Sequence, residues 1–183
     1  MTSVPLDTAV RCLQSGGVIA YPTEAVFGIG CDPLQQQAVE RLLAIKKRAV
    51  SKGLLLIGAN FDQLAPWVRL ADEQARALRQ HWPFATTYLI EASDKVPDWI
   101  SGGRNKVGVR VVGNPVAAAL CERFGSPLVS TSANLSGRQE ARSALQVRRQ
   151  LGDQLDLIVE GNCDQAGKPS TIIDLATGAV IRA

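Results

Sequence analysis

Two pairs of polar residues, each spaced two apart, are able to hold a polyanion. Lys46 and Arg48 lie in Ala44-Ile45-Lys46-Lys47-Arg48, at the end of a helix-like run and five residues before Gly53. Residues two apart diverge on a continuous helix. Where a helix gives way to extended chain they point to one side, and the pair would then clamp two phosphate oxygens. The alternative is a basic helix C-terminus that complements the macrodipole. Ser132 and Asn134 belong to Ser130-Thr131-Ser132-Ala133-Asn134-Leu135-Ser136-Gly137, directly after the apolar Pro127-Leu128-Val129. Ligands of open α/β sheets sit beyond the carboxyl ends of strands, where both side chains would face a ligand; the alternative is a plain turn or cap. A third strand-end loop, residues 21–31, sets Val26-Phe27 beside Thr23 and Glu24. It reads as a small amphipathic pocket or as an irregular core connection with glycines for tight turns.

Other chemistries drop out. Residues 161–169 imitate a Walker A loop but hold five residues between the glycines, with Pro169 where Ser or Thr should meet magnesium. Gly28-Ile29-Gly30 follows a strand-like run, yet Pro33 occupies the third glycine's place in a dinucleotide fingerprint. His81 is the sole histidine and sits at what reads as a helix end, which excludes a multi-histidine metal centre. Cys12, Cys31, Cys121 and Cys163 form no CxxC pair and read as reduced core or site thiols.

Charge is unevenly placed. Net charge is only +3, but residues 41–61 carry five basic residues and no acid. With residues 99–121 (Arg104, Lys106, Arg110) and 135–150 the basic stretches total +11, leaving −8 elsewhere. If the three stretches converge they make a positive groove suited to nucleotide phosphates or an RNA backbone; otherwise they are solvated helix faces.

These groups must be positioned by a chain of 183 residues, 46% hydrophobic and 20% charged, with mean hydropathy +0.04. That length suits one domain, residues 1–183, with a core that needs no staples. No apolar run approaches the 18 or so residues of a membrane helix, and no secretory signal precedes Gly16, so the expected location is the cytoplasm. Apolar periods predict helices over 6–15, 36–46, 72–81, 115–124 and 143–151, and strands over 18–21, 54–57, 86–91, 107–112, 128–130, 157–159, 171–174 and 180–182. Asn114-Pro115 is a helix cap, Gly125 a helix stop, and residues 92–106 a long polar loop. The alternation is that of an α/β fold.

Taken together, the residues resemble the YrdC/TsaC family of threonylcarbamoyl-AMP synthases. The carriers are Tyr-Pro-Thr-Glu at 21–24, Phe-Gly-Ile-Gly at 27–30, Lys-x-Arg at 46–48 with Lys52, Val-Arg-Val at 109–111, Ser-Thr-Ser-Ala-Asn at 130–134 and Pro-Ser-Thr-Ile-Ile-Asp at 169–174. The resemblance covers nearly the whole chain. It implies a single-domain, twisted, open mixed sheet with flanking helices around a positively charged concave groove. It also implies an enzyme that turns L-threonine, bicarbonate and ATP into threonylcarbamoyl-AMP and pyrophosphate, the first step of threonylcarbamoyl-adenosine formation in tRNA. By analogy Lys46, Arg48, Lys52, Ser132, Asn134 and Arg182 meet the nucleotide, with Lys46, Arg48, Ser132 and Asn134 as the catalytic set. Thr23, Arg110, Ser130 and Ser170 line the threonine side. Mg²⁺ is expected to come with ATP, without a protein ligand site. Further expected partners are tRNA, held weakly through the basic groove, and downstream threonylcarbamoyl-transfer proteins; no membrane is expected.

The chain departs from the family where Trp82-Pro83-Phe84-Ala85-Thr86-Thr87 replaces Trp-Pro-Gly-Pro-Val-Thr, and where Ala49 replaces a proline. The chemistry fits the inventory: a carbamate attacks a phosphate, two anions meet, and cations matter more than a base. A reading from another class is a non-catalytic double-stranded RNA, tRNA-binding or ribosome-maturation module, which the 5% aromatic content disfavours for single strands. A third is a carbamoyl-transferring maturation domain of the same fold.

Overall fold

A computed structural model describes residues 5–82, 85–135, 137–163 and 170–182. Among them nine strands form one mixed sheet: β1 (Ile19–Pro22), β2 (Phe27–Gly30), β3 (Leu55–Gly58), β4 (Thr86–Glu91), β5 (Lys106–Val111), β6 (Leu128–Ser132), β7 (Leu157–Ile158), β8 (Thr171–Asp174) and β9 (Val180–Arg182). The order is β7-β1-β2-β6-β3-β5-β4-β8-β9. Parallel pairs (β1 with β7, β3 with β5, β4 with β8) are interspersed among antiparallel ones. The helices are α1 (Leu6–Gln14), α2 (Gln36–Lys46), α3 (Phe61–Leu64), α4 (Asp72–Gln80), α5 (Asp98–Ser101), α6 (Pro115–Phe124) and α7 (Ala144–Leu151).

Strand alternation divides the core. Ala20, Leu56, Val109 and Val129 point to one face, packed against Leu42 of α2, Leu64 of α3, Leu78 of α4, Ile100 of α5 and Val147 of α7. Ile19, Tyr21, Ile57 and Leu128 point to the other, against Leu13 of α1 and Leu120 and Cys121 of α6. This second face is only half covered. Beyond α1 and α6 the same register continues through Gly28, Ser130, Ser132, Gly108, Arg110 and Thr87, which are small or polar and carry no apolar surface for a helix to bury. The bare half is the floor of a cleft.

Several predicted boundaries stand, including α2 at Gln36–Lys46, β4, β8 and β9. Asn114 caps α6, its side chain accepting from the Val116 and Ala117 amides at 3.0 and 3.4 Å, and Gly125 ends it at φ +77°. Other expectations are corrected. Strand β1 does end at Pro22, but residues 21–31 are not all loop: Phe27–Gly30 returns antiparallel to β1 as β2. Glycines that read as turn residues serve close approach instead; a Cβ on Gly30 would lie 2.0 Å from the Val129 carbonyl oxygen and 2.6 Å from the Tyr21 hydroxyl. Strand β6 runs on to Ser132, and the loop 92–106 contains α5, stopped by Gly102 at φ +69°. Pro83 and Phe84, the centre of the family departure, lie outside the described residues, as do Ser136, Lys168 and Pro169. Among the described residues no helix is long and apolar enough to cross a membrane.

Gly30→Ala is expected to lower the unfolding free energy by about 2–3 kcal/mol, because rigid backbone meets the added methyl. Urea denaturation measures it, and a loss below about 0.5 kcal/mol would mean that β2 and β6 separate freely.

Candidate active site

The cleft over the bare half-sheet is walled by three segments. The first follows α2. Lys47 takes the left-handed conformation (φ +48°), and the amides of Lys47 and Arg48 bond back to the carbonyls of Ala44 and Leu43 at 3.0 Å. This Schellman turn ends the helix and lets the chain reverse into a 3-10 turn at Val50–Lys52. Arg48 and Lys52 thereby reach the cleft. The Arg48 Nη2 donates to the Gly53 carbonyl at 2.9 Å, and Arg104 donates to the Ser51 carbonyl at 2.7 Å. The second wall is the β1–β2 turn with Thr23 and Glu24. The third is Ser170 with the β8–β9 hairpin, where Arg182 donates to the Ser170 carbonyl at 2.7 Å. Burial foremost, then the charge of Arg104, lowers the Arg48 pKa; burial also lowers that of Arg182, where Glu140 opposes the shift and Arg110 adds to it.

Lys46 goes inward. Its side chain is 6% exposed, and its Nζ donates to the Ser132 carbonyl at 2.6 Å, the Asn134 carbonyl at 2.6 Å and the Asn134 Oδ1 at 2.8 Å. Ser132 Oγ donates to the same Oδ1 at 2.7 Å, and Asn134 Nδ2 donates to the carbonyls of Leu135 and Arg138. One ammonium therefore gathers the end of β6 and aims Ser132. Burial, with the Arg48 charge behind it, pulls the Lys46 amine down to about 8, while Glu140 pulls the other way.

The deeper end of the cleft is lined by hydroxyls. Thr23, Thr87, Ser130 and Ser170 are all buried and all line it. Thr23 Oγ1 donates to the Val26 carbonyl at 2.6 Å, and the Thr87 and Ser170 hydroxyls are 2.8 Å apart. Space for a ligand comes from Gly28, where a Cβ would sit 3.1 Å from Ser130 Oγ. Arg110 enters from β5, its Nη2 3.4 Å from Glu24 Oε2.

The structure thus brings Thr23, Arg48, Lys52, Arg110, Ser130, Ser132, Ser170 and Arg182 to one cleft. Lys46 and Asn134 lie behind its wall, bonded to each other, and do not line it. Lys46 and Arg48 have different destinations: Lys46 turns to Ser132 and Asn134 behind the wall, and only Arg48 reaches the opening. The basic stretches converge in part: the first supplies Arg48 and Lys52 and the second Arg104, Lys106 and Arg110, whereas the third supplies only Glu140. Arg41 and Arg148 are spent on Asp156 and Glu160. Thr87 and Glu140 are among the lining residues that sequence reasoning left out of the site, while Glu24 was placed beside Thr23 in the strand-end pocket but given no role. The period-2 pattern of β4, which sets Thr87 beside Leu89, was the available signal for Thr87. His81 caps α4, away from the cleft; Cys31 and Cys121 are buried, and Cys12 and Cys163 are partly exposed.

Comparison with known proteins gives one answer. A family model for Sua5, YciO and YrdC, described as telomere recombination, matches residues 11–183. A threonylcarbamoyl-AMP synthase of Alkalilimnicola ehrlichii is 51% identical over 174 residues, 93% of this chain and 91% of that protein. Another, of Cellvibrio japonicus, is 46% identical over 178 residues, 97% of this chain and 94% of that protein. Among solved structures, P. abyssi Sua5 complexed with L-threonine superposes with TM-score 0.88 at 31% identity, covering 96% of this chain and 52% of that one.

Replacing Lys46 removes three hydrogen bonds from the end of β6 and takes from the Asn134 carbonyl its donor, so Lys46→Met should cost about 2 kcal/mol or more at neutral pH, whereas Arg48→Ala should cost less than about 1 kcal/mol. The Lys46 pKa is lower in the folded chain (about 8) than its ordinary 10.5, so between those values the unfolded chain binds more protons. Lys46 then contributes a stability that rises with pH over that window, a rise absent from Lys46→Met. Urea melts of both variants at pH 7 and 9.5 check this; equal losses in the two variants would contradict it.

Proposed function

The chain belongs to the Sua5/YciO/YrdC family, and on that premise we propose that it is a threonylcarbamoyl-AMP synthase: L-threonine, bicarbonate and ATP become threonylcarbamoyl-AMP and pyrophosphate. The observation that carries the reading is how the cleft's cations are held. Arg48, Arg104 and Arg182 are each fixed by a main-chain carbonyl and not by a carboxylate, so their positions are set while their charge is left for a ligand. A triphosphate is the ligand that uses such a wall. Among the described residues, buried Arg48 Nε has no hydrogen-bond partner, a further donor for a phosphate oxygen.

In this reading the nucleotide lies along Arg48, Lys52, Ser132 and Arg182, with Lys46 and Asn134 holding Ser132 in place from behind. Threonine lies over Thr23, Arg110, Ser130 and Ser170. Its amine joins bicarbonate as a carbamate with loss of water, and a carbamate oxygen attacks the α-phosphate with pyrophosphate leaving, a nucleotidyl transfer. Both reactants are anions, so the residues act by placing fixed positive charge where negative charge accumulates, and no histidine is required. Mg²⁺ enters on the triphosphate as part of the substrate. We further propose that tRNA meets this face weakly, through phosphates and with steep salt dependence, and that the product passes to threonylcarbamoyl-transfer proteins.

Pyrophosphate release should require ATP, L-threonine and bicarbonate together; full release without bicarbonate would contradict the carbamate step. Threonine and serine should be preferred over valine, since valine leaves buried hydroxyls unpaired at about 1–3 kcal/mol. Arg48→Ala should lower turnover at least tenfold, as fits a group acting on transition-state charge.

A further inference from the structure

Glu24 and Arg110 are buried, at 5% and 9% exposure, and both line the cleft. A pair with a purely structural role would close into a charge-assisted hydrogen bond of about 2.7–2.9 Å and satisfy its remaining atoms. This pair does neither. Glu24 Oε2 and Arg110 Nη2 are 3.4 Å apart, and Glu24 Oε2 and Arg110 Nε have no hydrogen-bond partner. The other carboxylate oxygen, Oε1, accepts from the Gly113 amide at 2.7 Å. Glu24 is therefore anchored from the β1–β2 turn to the end of β5, and its rotation is fixed with Oε2 as the free atom. Among the described residues Oε2 has only this long ion pair and Arg110 Nε has no hydrogen bond, so two charged atoms removed from bulk water are left short of partners, which is costly unless a ligand completes them.

The ligand that completes both carries a cation and an anion a few ångströms apart. We propose that Glu24 Oε2 receives the α-ammonium of the amino-acid substrate while Arg110 takes its carboxylate, so that the pair reads the substrate as a zwitterion. The inference rests on the threonine reading above and adds to it the residue that selects the amino group, the atom that must later react. The surrounding hydroxyls of Thr23, Ser130 and Ser170 contribute no charge, so within this end of the cleft Glu24 alone distinguishes an ammonium from a hydroxyl at the α-carbon.

The test is calorimetric titration of the full chain with L-threonine and with 2,3-dihydroxybutanoate, which has a hydroxyl in place of the ammonium, using wild type and Glu24→Gln. Gln keeps an oxygen for the Gly113 amide and loses only the charge. Wild type should bind threonine at least tenfold more tightly than the analogue. Glu24→Gln should weaken threonine at least tenfold and leave the analogue within about threefold, with ATP affinity and melting temperature unchanged. Equal weakening of threonine and analogue, or no weakening of threonine, would overturn the proposal. So would a wild type that binds the two equally, a result that needs no variant to fold. A wild type that binds neither would instead overturn the threonine reading, and the inference with it.

Discussion

A buried ammonium bonded only to neutral oxygens is the interaction on which the site depends. Lys46 makes its hydrogen bonds to two main-chain carbonyls and one amide oxygen, all from residues 132–134. Desolvating that charge is expensive, and burial accordingly lowers the Lys46 pKa. In return, the ammonium holds the last turn of β6 to the last turn of α2. Ser132 is aimed by it, Asn134 is saturated by it, and the Schellman turn that delivers Arg48 to the cleft begins at the next residue. Neutral acceptors have a further consequence: Lys46 organises the wall without bringing in an acid that would cancel its field.

The same economy of negative charge recurs around the cleft. Arg48, Arg104 and Arg182 are placed by carbonyl oxygens. Two other lining cations do meet acids: Lys106, at the far edge, pairs with Asp174, and Arg110 makes a long pair with Glu24. Burial lowers the Arg48 and Arg182 pKa values, yet arginine's ordinary value is so high that both remain charged at neutral pH. The fold makes room for this by leaving half of one sheet face uncovered. Helices α1 and α6 pack where β1, β3 and β6 present Ile19, Tyr21, Ile57 and Leu128, and they end where the register turns to serine, glycine and arginine.

What the sequence revealed, and what it hid, follows from the range of the interactions. Helix caps such as Asn114 and stops such as Gly125 are local, and their elements were legible to the residue. Strand β2 was not, because Phe27-Gly28-Ile29-Gly30 has the composition of a turn; the need for glycine arises from Val129 and Tyr21 across the sheet. The site's members were legible as types and spacings. Their division of labour was not: spacing makes Lys46 and Arg48 alike, and only the position of β6 sends one behind the wall and the other into the cleft. Glu24 was visible beside Thr23, but its value lies in a free oxygen 3.4 Å from a residue on β5, which no local pattern encodes.

Lys46 and the end of β6 act as one unit, and a double-mutant cycle on stability with Lys46→Met, Asn134→Ala and the double variant at neutral pH tests this. Because each single change already breaks the shared cluster, the expected coupling energy is about 1–3 kcal/mol, with the double variant scarcely less stable than Lys46→Met alone. Losses that add to within about 0.5 kcal/mol would show the two side chains to be independent and would contradict it.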